Sequence, residues 1–193
     1  MTTHRIVLHP MRPQPGHLDR PTLVARLHEM GLIEEPSGDQ RFMAGPRFME
    51  LLVFVGCSPY VRLRPGTGGD ARSWDFSHIQ IPMAVEPPRL LSGLNTRAPR
   101  CPRCRREVTD WQRRLHPAAE ASPEPRWHCP DCGTATPCHA LDWRHSACLS
   151  GFPISIWQVH EGEAVPSAEL LELLQAGCAG DWDYCYLREP AQE

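Results

Sequence analysis

The stretch WHCPDCG, at residues 127–133, shares its pattern with CPRC at residues 101–104. In both, two cysteines are separated by two residues and a proline follows the first cysteine. Two such turns can place four sulfurs around one ion, and structural Zn²⁺ takes four ligands in a tetrahedron at about 2.3 Å from each sulfur. The pattern therefore predicts one zinc ion per chain, with Cys101, Cys104, Cys129 and Cys132 as its ligands.

A glycine and two prolines fit tight metal-binding turns at these cysteines. Pro102 and Pro130 help to fix the backbone of their turns. Gly133 follows the second pair and can adopt a positive φ, which lets backbone N–H groups point at the thiolates. We expect these N–H groups to stabilise the sulfurs around the metal.

The same residues resemble the zinc-ribbon family, which has a CPRC knuckle, a connecting hairpin, and an aromatic-led strand, here WH, that runs into CPDCG. The resemblance covers residues 99–136, and the rest of the chain resembles no family. It implies a small β module with one zinc held by four cysteines. Zinc ribbons occur in transcription, translation and nucleic-acid proteins, and also as structural staples or docking surfaces.

Two features depart from the usual zinc-ribbon pattern. The cysteine pairs are separated by 24 residues (105–128), more than the usual spacing of about 15 to 20. The surplus matches the Pro/Ala/Glu-rich segment 113–126, which we predict to be a mobile loop. Arg105 stands after the first pair, where a glycine would be expected. Rubredoxins hold iron with similar knuckles but usually carry glycine after both pairs, so iron is the alternative metal.

Basic residues, all of them arginine, concentrate around the first cysteine pair. Residues 95–126 contain eight arginines against four acids, whereas 127–193 contain two against ten. Four thiolates on Zn²⁺ leave a formal charge of −2, which neighbouring arginines would offset. The alternative is phosphate binding. The candidate anion-binding residues are Arg97, Arg100, Arg103, Arg105 and Arg106, with Arg113 and Arg114 extending the patch.

A second group of potential zinc ligands follows the ribbon. It consists of Cys138, His139, His145 and Cys148. Each side chain is a competent ligand, although the spacing matches no established pattern. These residues are candidates for a second metal site, or for replacing one of the first four ligands. The competing interpretation is buried thiols and solvent-facing imidazoles.

Composition indicates a globular chain with many turns. Its 193 residues are 41% hydrophobic and 22% charged, with 21 prolines and 14 glycines. The longest apolar run, residues 51–57, is too short to cross a bilayer, and no run has signal-peptide length. We therefore expect a cytoplasmic protein without a membrane partner. In that reducing compartment nine cysteines favour metal ligation or buried thiols over disulfides.

Hydrophobic periodicity predicts an α+β fold, with a small mixed or antiparallel sheet, about three helices and the inserted zinc ribbon. The predicted strands cover residues 5–9, 60–63, 78–81, 153–159 and 182–187, and the predicted helices cover 19–31, 46–55 and 167–175. The predicted organisation is an N-terminal α/β half of the core (1–98), the ribbon (99–136), and a C-terminal β-α-β half (137–193).

Three functions are compatible with the sequence. The first is a non-enzymatic adaptor or accessory subunit that docks to a protein through its zinc ribbon, since a basic ribbon beside an acidic C-terminal region suits electrostatic docking. The second is binding of nucleic acid or ribonucleoprotein by the arginines of the ribbon. The third, an enzyme using a metal or a reactive cysteine, is disfavoured because four thiolates leave no open metal position and no catalytic arrangement is evident.

Overall fold

The computed structural model describes residues 2–12, 19–38, 40–55, 61–66, 75–109, 111–113, 126–177 and 180–190. In chain order its elements are β1 (Thr2–Pro10), α1 (Arg20–Glu29), β2 (Ile33–Pro36), β3 (Arg41–Ala44), α2 (Phe48–Leu51), β4 (Leu52–Phe54), β5 (His78–Gln80), β6 (Arg89–Ser92), β7 (Arg126–His128), β8 (Ala135–Pro137), a 3-10 helix (Cys138–Ala140), β9 (Ala147–Ser150), β10 (Ile154–Trp157), β11 (Ala164–Pro166), α3 (Ala168–Gly177) and β12 (Trp182–Pro190). Residues 111–113 are also helical. This mixture of helices and antiparallel sheets agrees with the α+β class, although strands dominate.

A six-stranded sheet, the central sheet, organises the fold. Its strand order is β12-β1-β10-β5-β3-β2, and every neighbouring pair is antiparallel. The smaller pairs β4–β11, β6–β9 and β7–β8 lie outside it. Strands β10 and β12 both run antiparallel to β1, so they are parallel to each other with β1 between them.

The main hydrophobic core lies between one face of the central sheet and two helices. Alternate residues of a strand point to opposite faces, and Ile6 and Leu8 of β1 are fully buried in this core. Leu23 and Leu27 of α1 cover it, together with residues of α3. Burial of a leucine of this kind is worth roughly 2 kcal/mol, so the helices are held mainly by their apolar faces.

Helices α1 and α3 form where the sequence predicts them. Asp19 caps α1, accepting a hydrogen bond from the backbone N–H of Thr22 at 2.8 Å, and Gly31 follows the helix with a φ of 76°. Ser167 caps α3, its Oγ accepting from the N–H of Leu170 at 3.1 Å. Both helices therefore begin at a side-chain cap, and α1 also ends at a left-handed glycine. The predicted strands at 5–9, 78–81, 153–159 and 182–187 correspond to β1, β5, β10 and β12.

The helix predicted over 46–55 is wrong for most of its length. Helix α2 is a single turn, after which β4 extends and pairs with β11. Phe48 and Leu51 are buried as expected, but Met49 and Val55 are exposed by 43% and 62%. A continuous apolar run does not reveal its period, and the β-branched valines favour an extended backbone.

Two further predictions of local structure differ from the structure. Residue 60 of the strand predicted over 60–63 lies outside the described residues, and 61–63 are not in a strand, although Val61 and Leu63 pack against the main core. The connection predicted over 82–100 contains β6, which pairs with β9. The interior of the predicted mobile loop, 114–125, also lies outside the described residues.

A second layer packs on the other face of the central sheet. There Val7 of β1 joins Cys185 and Leu187 of β12 and Cys148 of β9 in a small buried cluster. The neighbouring residues of β9, Ala147 and Leu149, belong to a different hydrophobic cluster, which surrounds the cysteine module. Strand β9 therefore connects that module to the central sheet. Within the described ranges, no helix is long and apolar enough to span a membrane.

His78 is a buried imidazole on β5. Its Nδ1 lies 2.9 Å from the carbonyl oxygen of Phe76 and donates to it, and its ring stacks on Trp157. Burial lowers the pKa of His78 from 6.5 to about 4, with a further contribution from the positive charge of Arg41, while the hydrogen bond to Phe76 opposes the shift. The folded protein therefore holds this imidazole neutral at mildly acidic pH.

We expect His78 to make folding acid-sensitive. Between about pH 6.5 and pH 4 the unfolded chain protonates this imidazole but the folded chain largely does not. The free energy of unfolding therefore decreases as the pH is lowered, by about 2 kcal/mol between pH 7 and pH 5. In His78→Gln an amide can keep the hydrogen bond to Phe76 without titrating. Urea unfolding across this range should show a steeper loss of stability in the wild type, and equal slopes would contradict the assignment.

Candidate metal centre

Two turns with the same backbone geometry form the candidate metal centre. In the first, the N–H of Cys101 donates to the carbonyl of Arg106 and the N–H of Arg105 donates to the carbonyl of Cys101, both at 2.9 Å. The second repeats these bonds four and five residues apart, from Cys129 to Thr134 at 3.0 Å and from Gly133 to Cys129 at 2.9 Å. We call these turns the first and second knuckles, 101–106 and 129–134.

Each knuckle needs a left-handed residue after its second cysteine. Gly133 has a φ of 67°, as the sequence pattern predicts, and Arg105 adopts a φ of 62° at the equivalent place. For a residue with a side chain this conformation costs about 1 kcal/mol. Arg105 therefore adopts the same backbone conformation as the glycine that zinc ribbons usually carry at this place, at the cost of some strain.

The four cysteine sulfurs are spaced for one tetrahedral ion. Zinc–sulfur bonds of about 2.3 Å at tetrahedral angles place the sulfurs about 3.8 Å apart. The Sγ atoms of Cys101 and Cys132 are 3.8 Å apart, and those of Cys104 and Cys129 are 3.5 Å apart. All four sulfurs lie within 4.8 Å of one another. The structure thus brings together the predicted ligand set at metal-binding distance.

Burial differs among the four cysteines. Cys101 and Cys129 are buried, Cys132 is half-buried and Cys104 is exposed. The buried side of the centre adjoins a hydrophobic cluster that includes Trp127 of β7, and it extends beyond the predicted ribbon. The cluster includes Cys101 and Cys129 themselves, and its other buried members are Val108, Trp111, Cys138, Leu141, Trp143, Ala147 and Leu149. One side of the centre is therefore shielded from water and the other faces solvent.

Crowding of four thiols spreads their pKa values. The backbone N–H of Arg106 favours the Cys104 thiolate, but loss of hydration and the neighbouring thiols outweigh it and raise the pKa of Cys104 to about 12. Hydrogen bonds from the side chain and backbone of Thr134 lower the pKa of Cys132 to about 6. Repulsion prevents all four cysteines from being thiolates at once in the absence of a cation. A bound divalent cation would offset this repulsion.

A short antiparallel hairpin flanks the second knuckle, whereas the connecting hairpin predicted between the two cysteine pairs falls largely on residues outside the described ranges. Strands β7 and β8 are antiparallel, with Trp127 opposite Thr136, and β7 leads directly into the second knuckle. These features agree with a zinc-ribbon-like module. The proposed boundaries of the ribbon and of the two core halves remain predictions.

Most of the candidate anion-binding arginines are paired with acids. Their ion pairs are Arg97–Glu161 at 3.4 Å, Arg100–Glu107 at 3.2 Å, Arg105–Asp142 at 2.9 Å and Arg106–Asp131 at 3.3 Å. The exposed Arg103 donates to the hydroxyl of Thr134 at 3.3 Å, and no carboxylate in the described part of the chain pairs with it. The positive charge is therefore largely balanced within the protein. Arg113 is described and Arg114 lies outside the described residues.

The structure does not gather the second set of predicted ligands. Among the described residues, Cys138, His139, His145 and Cys148 supply no group of three ligand atoms within 4.8 Å, and Cys138 is not part of the four-sulfur cluster. Cys138 packs in the hydrophobic cluster around the module, where burial raises its pKa to about 11. His145 stacks on Tyr184 and donates to its carbonyl at 2.7 Å. These four residues are close in sequence, but the fold does not bring their ligand atoms together.

Cys148 has different partners, which the sequence analysis missed. It lies beside Cys185 and His9, and the three ligand atoms are within 4.8 Å of one another. These residues come from three strands distant in the chain, so no spacing motif identifies them. Predicting this group would have required knowing that β1 pairs with β12 and that β9 packs against both.

Exchanging the residues at the two left-handed positions should change metal affinity in opposite directions. Arg105→Gly relieves the backbone strain and removes a positive charge that Asp142 already balances, so zinc affinity should rise severalfold, equivalent to about 1 kcal/mol. Gly133→Ala introduces the same strain without a clash, because an added Cβ meets nothing within 4 Å, and should weaken zinc binding by a similar factor. Chelator competition measures both affinities. Equal affinities in both variants and the wild type would show that the knuckles are not under this constraint.

The resemblance to zinc ribbons is therefore carried by four cysteines, two matching knuckles and a hairpin. No protein-family model, curated protein or solved structure matches the chain. The candidate centre is therefore supported by the geometry of its own four sulfurs.

Proposed function

We propose that the chain is a zinc-binding, non-enzymatic adaptor or accessory protein of the cytoplasm, and that its ribbon module docks onto a protein partner. The observation that carries this proposal is the closed set of four sulfurs at tetrahedral spacing. Such a set suits a structural zinc, which leaves no position for substrate or water. A catalytic zinc keeps one position open.

Zinc is the metal that best suits a structural role here. Tetrahedral sulfur sites hold either zinc or iron, and zinc has no redox chemistry to control. A module with a small core gains much of its folding free energy from the ion, because the ligands are assembled only in the folded state. In this proposal zinc keeps the first knuckle in the shape that a partner contacts.

The first knuckle is the part of the module best placed for docking. Residues 102–106 are all exposed, so they form a continuous accessible surface. Within it Arg103 retains a positive charge that none of the described carboxylates balances, whereas Arg105 and Arg106 are engaged with Asp142 and Asp131. A single unbalanced arginine suits an acidic group on a protein better than the long phosphate array of a nucleic acid, which needs several free cations.

The first test of this proposal is metal content. Elemental mass spectrometry of natively purified protein should find zinc, and Cys101→Ser/Cys129→Ser should contain one equivalent less than the wild type. The control is Cys138→Ala, which replaces a nearby buried cysteine outside the four-sulfur cluster. Iron in place of zinc, or unchanged metal in the double variant, would refute the proposed centre.

The second test separates docking from metal binding. Arg103→Glu should keep its zinc, since within the described residues Arg103 makes a single long hydrogen bond, to Thr134, but should weaken partner binding at least about tenfold. Arg126→Glu, at an exposed arginine on β7 of the same module, is the matched control and should bind normally. Affinity capture from the native lysate, with nuclease treatment and cross-linking, measures the retained proteins. Equal retention by both variants would exclude the first knuckle, and loss on nuclease treatment would indicate nucleic acid instead.

A further inference from the structure

A second cluster of potential metal ligands lies on the face of the central sheet away from the main core. In the β1–β12 register Val7 pairs with Cys185 and His9 with Asp183, so His9 and Cys185 project from the same face. Strand β9 brings Cys148 onto that face from the second layer. One ring nitrogen of His9 and both sulfurs lie within 4.8 Å of one another. Both cysteines are reduced and buried, and His9 is half-buried.

The imidazole of His9 is prepared to act as a ligand. Its Nδ1 lies 3.2 Å from the carbonyl oxygen of Pro10. A carbonyl only accepts, so Nδ1 carries the hydrogen and Nε2 keeps the lone pair that a metal requires. A hydrogen bond from the second ring nitrogen to a backbone carbonyl is the usual support of a metal-binding histidine, because it fixes the tautomer and the ring orientation.

The charges around the cluster suit a divalent ion. Two thiolates and a neutral imidazole on Zn²⁺ carry no net charge, which is compatible with burial among Val7, Leu91 and Leu187. Arg5 lies on the same face of β1, where its guanidinium donates to Ser155 at 2.8 Å and pairs with Glu189. This fixed positive charge further favours thiolates nearby.

We propose that His9, Cys148 and Cys185 bind a second zinc ion, whose fourth ligand is water. Two cysteines, one histidine and an oxygen form a ligand set that zinc adopts in proteins. All three protein ligands stand on strands, so the site is formed by the fold and not by a flexible loop. The ion joins β9 to β1 and β12. Because β9 also contributes Ala147 and Leu149 to the cluster around the four-cysteine module, the second zinc fastens that module to the central sheet.

Two other states of the same residues give different results in a direct test. In the first alternative the two cysteines are inert core thiols that bind no metal. In the second they form a disulfide. Zinc is counted by elemental mass spectrometry in zinc-supplemented wild type, Cys148→Ala/Cys185→Ala and Cys101→Ser/Cys129→Ser. We expect two equivalents in the wild type and one in each double variant. Alanine is used at the buried pair because a serine hydroxyl there would lack a hydrogen-bond partner.

His9→Gln tests the site without altering either thiol. Since His9 is only half-buried, this variant should fold like the wild type by circular dichroism, while its second zinc should bind at least about tenfold more weakly in chelator competition. A control, His145→Gln, changes an exposed histidine outside the cluster and should keep both ions.

Three results would overturn the second site. They are a single zinc in the wild type that only Cys101→Ser/Cys129→Ser removes, a second zinc whose affinity is unchanged in His9→Gln, and a Cys148–Cys185 disulfide detected by mass in the zinc-supplemented protein. The two centres are assayed by separate pairs of cysteines, so failure of this proposal is distinguishable from failure of the four-cysteine centre.

Discussion

The pairing of β1 within the central sheet is the constraint on which the rest of the structure depends. Strand β1 pairs along nine residues with β12 and on its other edge with β10. Its alternate residues lie in different clusters. Ile6 and Leu8 pack in the main core, and Val7 packs in the small cluster on the opposite face. A shift in register by one residue would exchange these faces and bury Arg5 in the main core, so the register is strongly specified.

The four-cysteine module follows a different principle from the central sheet. Its order comes from two short turns whose hydrogen bonds are nearly superimposable in pattern, and from an apolar cluster shared with β9. Neither turn has a side-chain core of its own. An ion bound by the four thiolates would stabilise both turns and would offset the strain of the left-handed Arg105 in one of them. Buried apolar residues hold the central sheet together, whereas the module combines an apolar cluster with four sulfurs at metal-binding distance.

Sequence patterns predicted the parts of this structure that depend on local signals. Helix α1 has its cap at Asp19 and its stop at Gly31, and the four sulfurs come from two spaced pairs. Predictions failed where distant pairing decides the conformation. The apolar run after Leu51 extends because β11 pairs with it, and Cys148 meets Cys185 and His9 only because β1, β9 and β12 converge. Neither event leaves a periodic or spacing signal in one sequence.

The pairing of β1 with β12 also sets an order of events during synthesis. Arg5 and Glu189, which form an ion pair, are 184 positions apart, so the edge of β1 stays open until nearly all of these residues have left the ribosome. Both knuckles are made well before then. We therefore expect any ion that the module binds to be captured on the nascent chain, while the edge of β1 that pairs with β12 is still unpaired. If the module binds a metal ion, a shortage of that metal would act on it during translation, before β12 completes the central sheet.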